Sequence, residues 1–428
     1  MIKAVRGTRD LLPPDTALWN FVENKAREVF ARYNYQEIRT PVFESTELFE
    51  RGVGEETDIV SKEMFTWEDK ARAASEKSLS LTLRPENTAG VVRAYIEHNL
   101  EKSGLLQKLY YMGPQFRRER PQKGRYRQFY QIGAEIIGPP SAGSELPIRD
   151  AEVLDMLVAL LDAVGLTGWT LFLNSVGCSN CRPAYNQALR EALAAVKDQM
   201  CADCRRRAET NPLRVLDCKV VEDQPIIEAL PKIADYLDEP CREHFAQVKA
   251  MLDELGVPYQ VNERMVRGLD YYTRTTFEFT HGELGAQSAV LGGGRFDGLS
   301  EELGGPRAPG IGFAIGEDRL VLALQAQQKK AESALQALIV PLGKEMNRHA
   351  LKLAKELREA GVAVDVSDES FRLKKSFETA EKLGATYAVL VGENEMASGE
   401  FAVKNLESGE QTKVARAGLL KYLSADGI

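Results

Sequence analysis

The chain reads as an α+β protein: an antiparallel sheet flanked by helices, interrupted by a helical insertion and followed by a smaller α/β domain. Three observations predict this. Between Lys108 and Ile137 two alternating runs flank Arg120-Pro-Gln-Lys-Gly124, the pattern of an antiparallel hairpin. Between Cys178 and about Pro258 the texture turns helical and charged, with little strand signal until Val261. From residue 334 onward, strand and helix signals alternate. A length of 428 residues agrees, since domains average roughly 150 residues and two or three are expected.

Taken in order, residues 15–33 predict a helix. Asp15 is placed to cap it after Pro13-Pro14, and Leu18, Phe21, Val22, Val29 and Phe30 form one apolar stripe. An extended segment, Tyr35 to Pro41, follows. Arg84-Pro-Glu-Asn-Thr88 leads into a helix from about Thr88 to Asn99, and a second apolar-faced helix spans 150–164, stopped at Gly165. After the insertion, strand signals return at 275–280 and 288–291. Gly310-Ile-Gly-Phe-Ala-Ile-Gly-Glu-Asp-Arg319 then reads as a Gly-rich strand entering a helix. Gln325 to Ser333 has linker composition. Beyond it come strand 337–342, helix 344–360 stopped by Gly361, strand 362–366, helix 374–383, strand 386–392 and a hairpin at Ser408-Gly409. The expected domains are therefore 1–177 with 259–325, an insertion 178–258, and 334–428.

The hairpin carries the chemistry. With a side-chain period of two, Arg117 and Glu119 share one face of the first strand, and Phe129, Gln131, Gly133 and Glu135 share one face of the second. That face offers an aromatic, an amide, a gap with no side chain at Gly133, and a carboxylate. A buried amide or carboxylate without a partner costs several kcal/mol, so a polar ligand is the natural occupant. The net charge of −8 excludes a generally basic nucleic-acid coat, so any RNA contact must be local. Arg117, Arg118, Arg120, Lys123, Arg125 and Arg127 supply such a patch, although a solvated Arg-rich loop has the same composition. Hydrophobic content of 44% with 28% charged residues fits a soluble enzyme. No apolar run of 18 residues occurs and the first residues do not read as a targeting segment, so no membrane partner and a cytoplasmic location are expected.

The cysteines form a separate pattern. Cys178-x-x-Cys181 and Cys201-x-x-Cys204 are 19 residues apart, within the spacing of a four-thiolate zinc site. Four helix-borne thiols without metal fit equally. Cys218 and Cys241 have no place in either scheme.

The hairpin resembles the second signature motif of class II aminoacyl-tRNA synthetases, Phe-Arg-x-Glu followed by a loop and an Arg-x-Phe strand. Tyr35 to Pro41 resembles the first motif, and residues 310–323 the third. Leu83-Arg-Pro-Glu-Asn-Thr-Ala89 and Val266-Arg-Gly-Leu-Asp-Tyr-Tyr-Thr273 narrow the resemblance to the histidyl-tRNA synthetase family, and it runs from Arg6-Gly-Thr-Arg-Asp10 to the C-terminus. The resemblance implies a homodimer that activates L-histidine with ATP and Mg²⁺ and transfers it to tRNA(His). It implies that Arg117 and Arg267 are catalytic. Arg117, Glu119, Arg125, Phe129 and Arg319 would bind ATP. Glu86, Thr88 and Gln131 would hold the α-amino group, Glu135 and Tyr272 the imidazole, with Tyr271 and Asn87 lining that pocket. Asn87 stands where many relatives carry glycine. Arg120 and Gln122 would approach the tRNA acceptor end, and the C-terminal domain would read the anticodon. Zinc is not required in this family. The alternatives are a histidine-sensing regulatory subunit of ATP phosphoribosyltransferase, which typically lacks the arginine at 267 and the C-terminal domain, and another class II synthetase such as a prolyl or threonyl enzyme.

Overall fold

The computed structural model describes residues 2–54, 57–69, 78–266, 268–329, 335–368 and 373–424. Residues 1–330 and 331–428 form two compact units.

The first unit is built on an eight-stranded sheet. Its strands are β1 (Gln36–Glu37), β2 (Gln107–Phe116), β3 (Gln128–Ile137), β4 (Trp169–Ser175), β5 (Gln260–Val261), β6 (Thr273–His281), β7 (Ala289–Arg295) and β8 (Gly310–Gly316). They lie in the order β1-β2-β3-β8-β7-β6-β4-β5. All internal pairings are antiparallel, and only the two-residue edge strands β1 and β5 pair in parallel. From Gln131 to Ile137, β3 is buried throughout, as a central strand covered on both faces must be.

Helices cover the sheet. In α1 (Asp15–Arg32) the buried residues Leu18, Trp19, Val22, Ala26, Val29 and Phe30 recur at helical spacing, and Phe30 stacks on Tyr110 of β2 with centroids 4.7 Å apart. Pro14, not Asp15, occupies the N-cap, and no side chain caps the helix. Asp15 lies in the first turn, where its charge faces the positive end of the helix dipole. Helix α2 (Thr88–Glu97) stands at the mouth of the cleft described below, and α3 (Pro147–Val164) buries Leu154, Leu157, Leu160 and Leu161. At the N-terminal end of α3 the fully buried Asp150 joins Arg295 at 2.5 Å and His244 Nε2 at 2.8 Å, so a paired charge ties α3, β7 and the insertion together. A three-stranded sheet, in the order 43–45, 79–83, 65–69, exposes Phe43, Trp67 and Leu79.

The insertion consists of α4 (Arg182–Val196), α5 (Ala202–Thr210), a run of short turns, and α6 (Glu239–Leu255). Helix α7 (Glu317–Ala326) follows β8 directly.

The second unit has a five-stranded sheet in the order 364–366, 337–341, 387–391, 400–405, 411–415, the first three parallel and the last two added antiparallel. Helix Asn347–Glu359 buries Ala350, Leu353, Ala354 and Leu357, which join Ile339, Val389 and Phe401 in one core.

Candidate active site

The register of the hairpin decides what the cleft can hold. β2 and β3 pair Leu109 with Glu135, Tyr111 with Gly133, Gly113 with Gln131 and Gln115 with Phe129. Cross-strand partners share a face, and a Cβ on Gly133 would collide with the Tyr111 ring. The gap expected at Gly133 is therefore filled by Tyr111. A second glycine makes the room that the carboxylate needs. Gly312 of β8 pairs with Glu135, and a Cβ there would overlap the Glu135 carboxylate. Arg117 and Glu119 lie just beyond the end of β2, with Arg117 N–H bonded to Arg127 O at 2.9 Å.

Above this floor opens a cleft. Glu86, Asn87, Thr88, Arg117, Glu119, Arg125, Phe129, Gln131, Tyr271, Tyr272 and Arg319 line it together. Glu135 is fully buried beneath it. The Thr88 hydroxyl donates to Glu135 Oε1 at 2.7 Å, while Oε2 makes no hydrogen bond among the described residues. Burial holds this carboxyl well above the ordinary carboxylate range; the nearby Glu86 adds to the shift and the Thr88 hydroxyl offsets part of it. Burial likewise raises Tyr111 and Tyr271, so both phenols keep their protons as donors.

Glu86 caps α2. Its two oxygens accept the backbone N–H groups of Thr88 at 2.8 Å and Ala89 at 3.0 Å, and Tyr271 donates to it at 3.4 Å. Asn87 Oδ1 accepts from Thr40 Oγ1 at 2.6 Å and from Arg84 at 3.4 Å. That fixes the amide, leaving Asn87 Nδ2 buried without a partner among the described residues. Gln131 Oε1 is in the same condition.

At the other end of the cleft are the cations. Arg117 is anchored by Nε to Pro85 O at 2.9 Å and lies 5.2 Å from the Phe129 ring centroid. Glu119 sits between Arg117 (3.8 Å) and Arg125 (2.9 Å). Arg319 donates to Ala289 O at 2.6 Å. Arg120 and Gln122 are exposed at the hairpin tip, where Gln122 and Arg125 exchange backbone hydrogen bonds. Arg267 lies outside the described residues.

Two contributors escaped the sequence reading. Tyr111 is one. The other is Arg9, which pairs with Asp318 at 2.7 Å and lies 4.3 Å from the Tyr126 ring centroid, while Asp318 also accepts Tyr130 N–H at 3.0 Å. The N-terminal segment thus braces the hairpin; its only signal was the basic Arg6-Gly-Thr-Arg-Asp10.

The cysteines do not gather into the single four-thiolate site that their spacing allowed. Cys178 and Cys181 gather with Asp238 and Cys241, whereas Cys201 and Cys204 gather with Cys218 and Asp223. The spacing between the two Cys-x-x-Cys pairs fitted one site, but the fold sends each pair to a different partner.

The arrangement joins a polar floor with unmet hydrogen-bonding capacity to a cluster of arginines, the layout for placing a small zwitterion against an oxyanion. Comparison with known proteins agrees. Residues 7–320 match the family model for histidyl-tRNA synthetase, and residues 336–426 match that for an anticodon-binding domain. The histidine–tRNA ligase of Koribacter versatilis is 73% identical over all of this chain and 97% of its own length. That of Solibacter usitatus is 57% identical over 99% of both. Among solved structures, apo histidyl-tRNA synthetase of S. aureus superposes with a TM-score of 0.77 at 39% identity, covering 99% of this chain and 100% of its own.

Proposed function

The chain belongs to the histidyl-tRNA synthetase family, and on that premise we propose how its cleft divides the work. The enzyme is a histidine–tRNA ligase of class II. In the first step a carboxylate oxygen of histidine bonds to the α-phosphorus of ATP as the bridging oxygen leaves with pyrophosphate. The terminal ribose hydroxyl of tRNA(His) then takes the histidyl group and releases AMP. The first step asks no side chain to move a proton. It asks for orientation and for charge stabilisation on the α-phosphate, which planar, permanently charged guanidinium groups supply.

We assign Arg117 to the α-phosphate and Arg267 to the bridge between that phosphate and the histidine carboxylate. Phe129 and Arg319 enclose the adenine. Glu119, held between Arg117 and Arg125, is a hard oxygen donor suited to Mg²⁺ alongside phosphate oxygens, where the ion would neutralise charge on the leaving group. Glu135 and Tyr272 take the two imidazole nitrogens. Glu86, Thr88 and Gln131 take the ammonium, and Asn87 offers Nδ2 to the carboxylate. The observation that carries the histidine reading is the buried, unsatisfied pair Gln131 Oε1 and Glu135 Oε2. A ligand bringing N–H donors at both ends would satisfy them.

Along the chain we assign 1–177 with 259–325 to the catalytic domain, 178–258 to the insertion, and 334–428 to anticodon reading. The exposed tip residues Arg120 and Gln122 face the acceptor end. A homodimer is supported by the exposed apolar residues Phe43, Trp67 and Leu79, carried on the small three-stranded sheet whose first strand follows the first motif. Among the described residues no helix is long and apolar enough to cross a membrane, in keeping with a cytoplasmic enzyme.

A chain ending near residue 331 tests the division between the two units. It is expected to keep histidine-dependent adenylate formation and to lose most tRNA charging through weaker RNA binding, while the intact enzyme's tRNA affinity falls with added salt. Undiminished charging by the shortened chain would remove the anticodon assignment.

A further inference from the structure

The insertion has its own buried cluster, and cysteines are part of it. Its buried cluster counts Cys181, Cys204, Cys218 and Cys241 among residues such as Leu189, Leu193 and Leu216. Between α5 and α6 the chain passes through short 3₁₀ turns and one helix of five residues.

All six cysteines are free, and the structure gathers them with two aspartates into two groups of four whose ligand atoms lie within 4.8 Å of one another. The spacings can be set against coordination geometry. With Zn–S near 2.3 Å and Zn–O near 2.1 Å, a tetrahedral ion needs S···S of about 3.8 Å and S···O of about 3.6 Å. The measured S···S distances are 3.6 Å for Cys178–Cys181 and 3.9 Å for Cys201–Cys218. The S···O distances are 3.4 Å for Cys178–Asp238 and 3.3 Å for Cys218–Asp223. The sulfurs also collect backbone N–H groups: Asn180 to Cys178, Cys204 to Cys201 and Val220 to Cys218, each at 3.4 Å, and Asp238 to Cys181 at 3.2 Å. Backbone N–H groups directed at sulfur are the hydrogen bonds that a metal-bound sulfur accepts.

We infer that the insertion holds two zinc ions, one on Cys178, Cys181, Asp238 and Cys241, the other on Cys201, Cys204, Cys218 and Asp223. Three thiolates and a carboxylate in tetrahedral array select zinc over the octahedral, oxygen-loving cations. The sites are nested in sequence. The outer one clasps the base of the insertion, joining the start of α4 to the start of α6, and the inner one staples the turns between them. Both are closed, hence structural.

Each site also stands next to an arginine that grips the segment after Arg267. Arg182, one residue past Cys181, donates to the carbonyls of Asp270 and Tyr272. Arg214, four residues before Cys218, donates to Gly268 O at 2.9 Å. These arginines are positioning residues for Tyr271 and Tyr272, and the zinc ions fix the backbone from which they reach.

Elemental analysis of the full-length protein, purified under reducing conditions without chelator, should find about two zinc ions per chain. Cys241→Ser and Cys218→Ser should each lose one, and both should raise KM for histidine more than KM for ATP. Because either variant could fold poorly, the metal-free wild-type protein should also be titrated with Co²⁺; thiolate charge-transfer bands and tetrahedral d–d bands should saturate at about two equivalents. Saturation at one equivalent, metal content near one or near zero, or iron in place of zinc would overturn the assignment.

Discussion

The cleft floor and the cysteine-bearing insertion are both buried clusters of polar groups, yet they differ in how far their hydrogen bonds are met. Under the cleft, buried polar groups lack partners: Glu135 Oε2, Gln131 Oε1 and Asn87 Nδ2 make no hydrogen bond among the described residues, and burial holds the Glu135 carboxyl above the usual carboxylate range. In the insertion donors crowd the acceptors. Asp238 accepts from the Cys178 thiol and the Cys241 backbone N–H, and hydrogen bonding, that from the Cys241 side chain first, holds its carboxyl down to about 2. The first region is completed by a ligand that brings N–H groups, the second by one that replaces thiol protons with a cation. A transient organic substrate fits one and a permanent metal the other.

Substitutions can break this contrast or sharpen it. The largest effect is expected at Arg267, which serves the transition state rather than the resting cleft. Arg267→Ala should slow adenylate formation by about 10²–10³-fold, as loss of an oxyanion donor does, and Arg267→Lys should recover only part, because an ammonium cannot bridge two groups as a guanidinium fork does. Rapid-quench measurement of adenylate would show this, and full speed in the alanine variant would sink the assignment.

A smaller and more selective effect is expected at Glu135. Glu135→Gln replaces the carboxyl under the cleft with an amide of the same shape, so histidine KM should rise by one to two orders of magnitude while ATP KM stays close to wild type. An unchanged histidine KM would show that Glu135 only supports Thr88.

How much of this was legible in the sequence depended on the range of the contact. The hairpin was, because a period of two sorts its faces within one strand, and the βα alternation of the second unit was, because each helix carries its own stripe. The occupant of the space at Gly133 was not. Tyr111 reaches it across the ladder, and Gly312, which makes room for Glu135, arrives from a strand some 180 positions away. Cys218 and Cys241 looked unpaired for the same reason: in a helical insertion joined by short turns, no periodicity announces which thiols meet. The two Cys-x-x-Cys pairs were visible as metal motifs but drew attention to each other instead of to Asp223 and Asp238.

The smallest effect concerns Glu317, in the first turn of α7. It is fully buried, neither carboxylate oxygen has a hydrogen bond among the described residues, and burial, with Glu23 nearby, pushes its carboxyl up to about 9. A carboxyl raised on folding contributes most to stability below its unfolded value near 4.3 and loses that contribution as pH climbs through 9. Glu317→Gln should therefore raise Tm by a few degrees at pH 8 and change it little at pH 5. Equal shifts at both pH values would place the effect elsewhere than in ionisation.

The central claim is that the unsatisfied floor of the cleft selects histidine. It is tested most directly by ATP–pyrophosphate exchange run with each of the twenty amino acids in turn. The account predicts exchange with histidine alone, since any other side chain leaves Glu135 unpaired, a penalty worth up to roughly 10⁴-fold. Exchange driven comparably by another amino acid, or none with histidine, would contradict it.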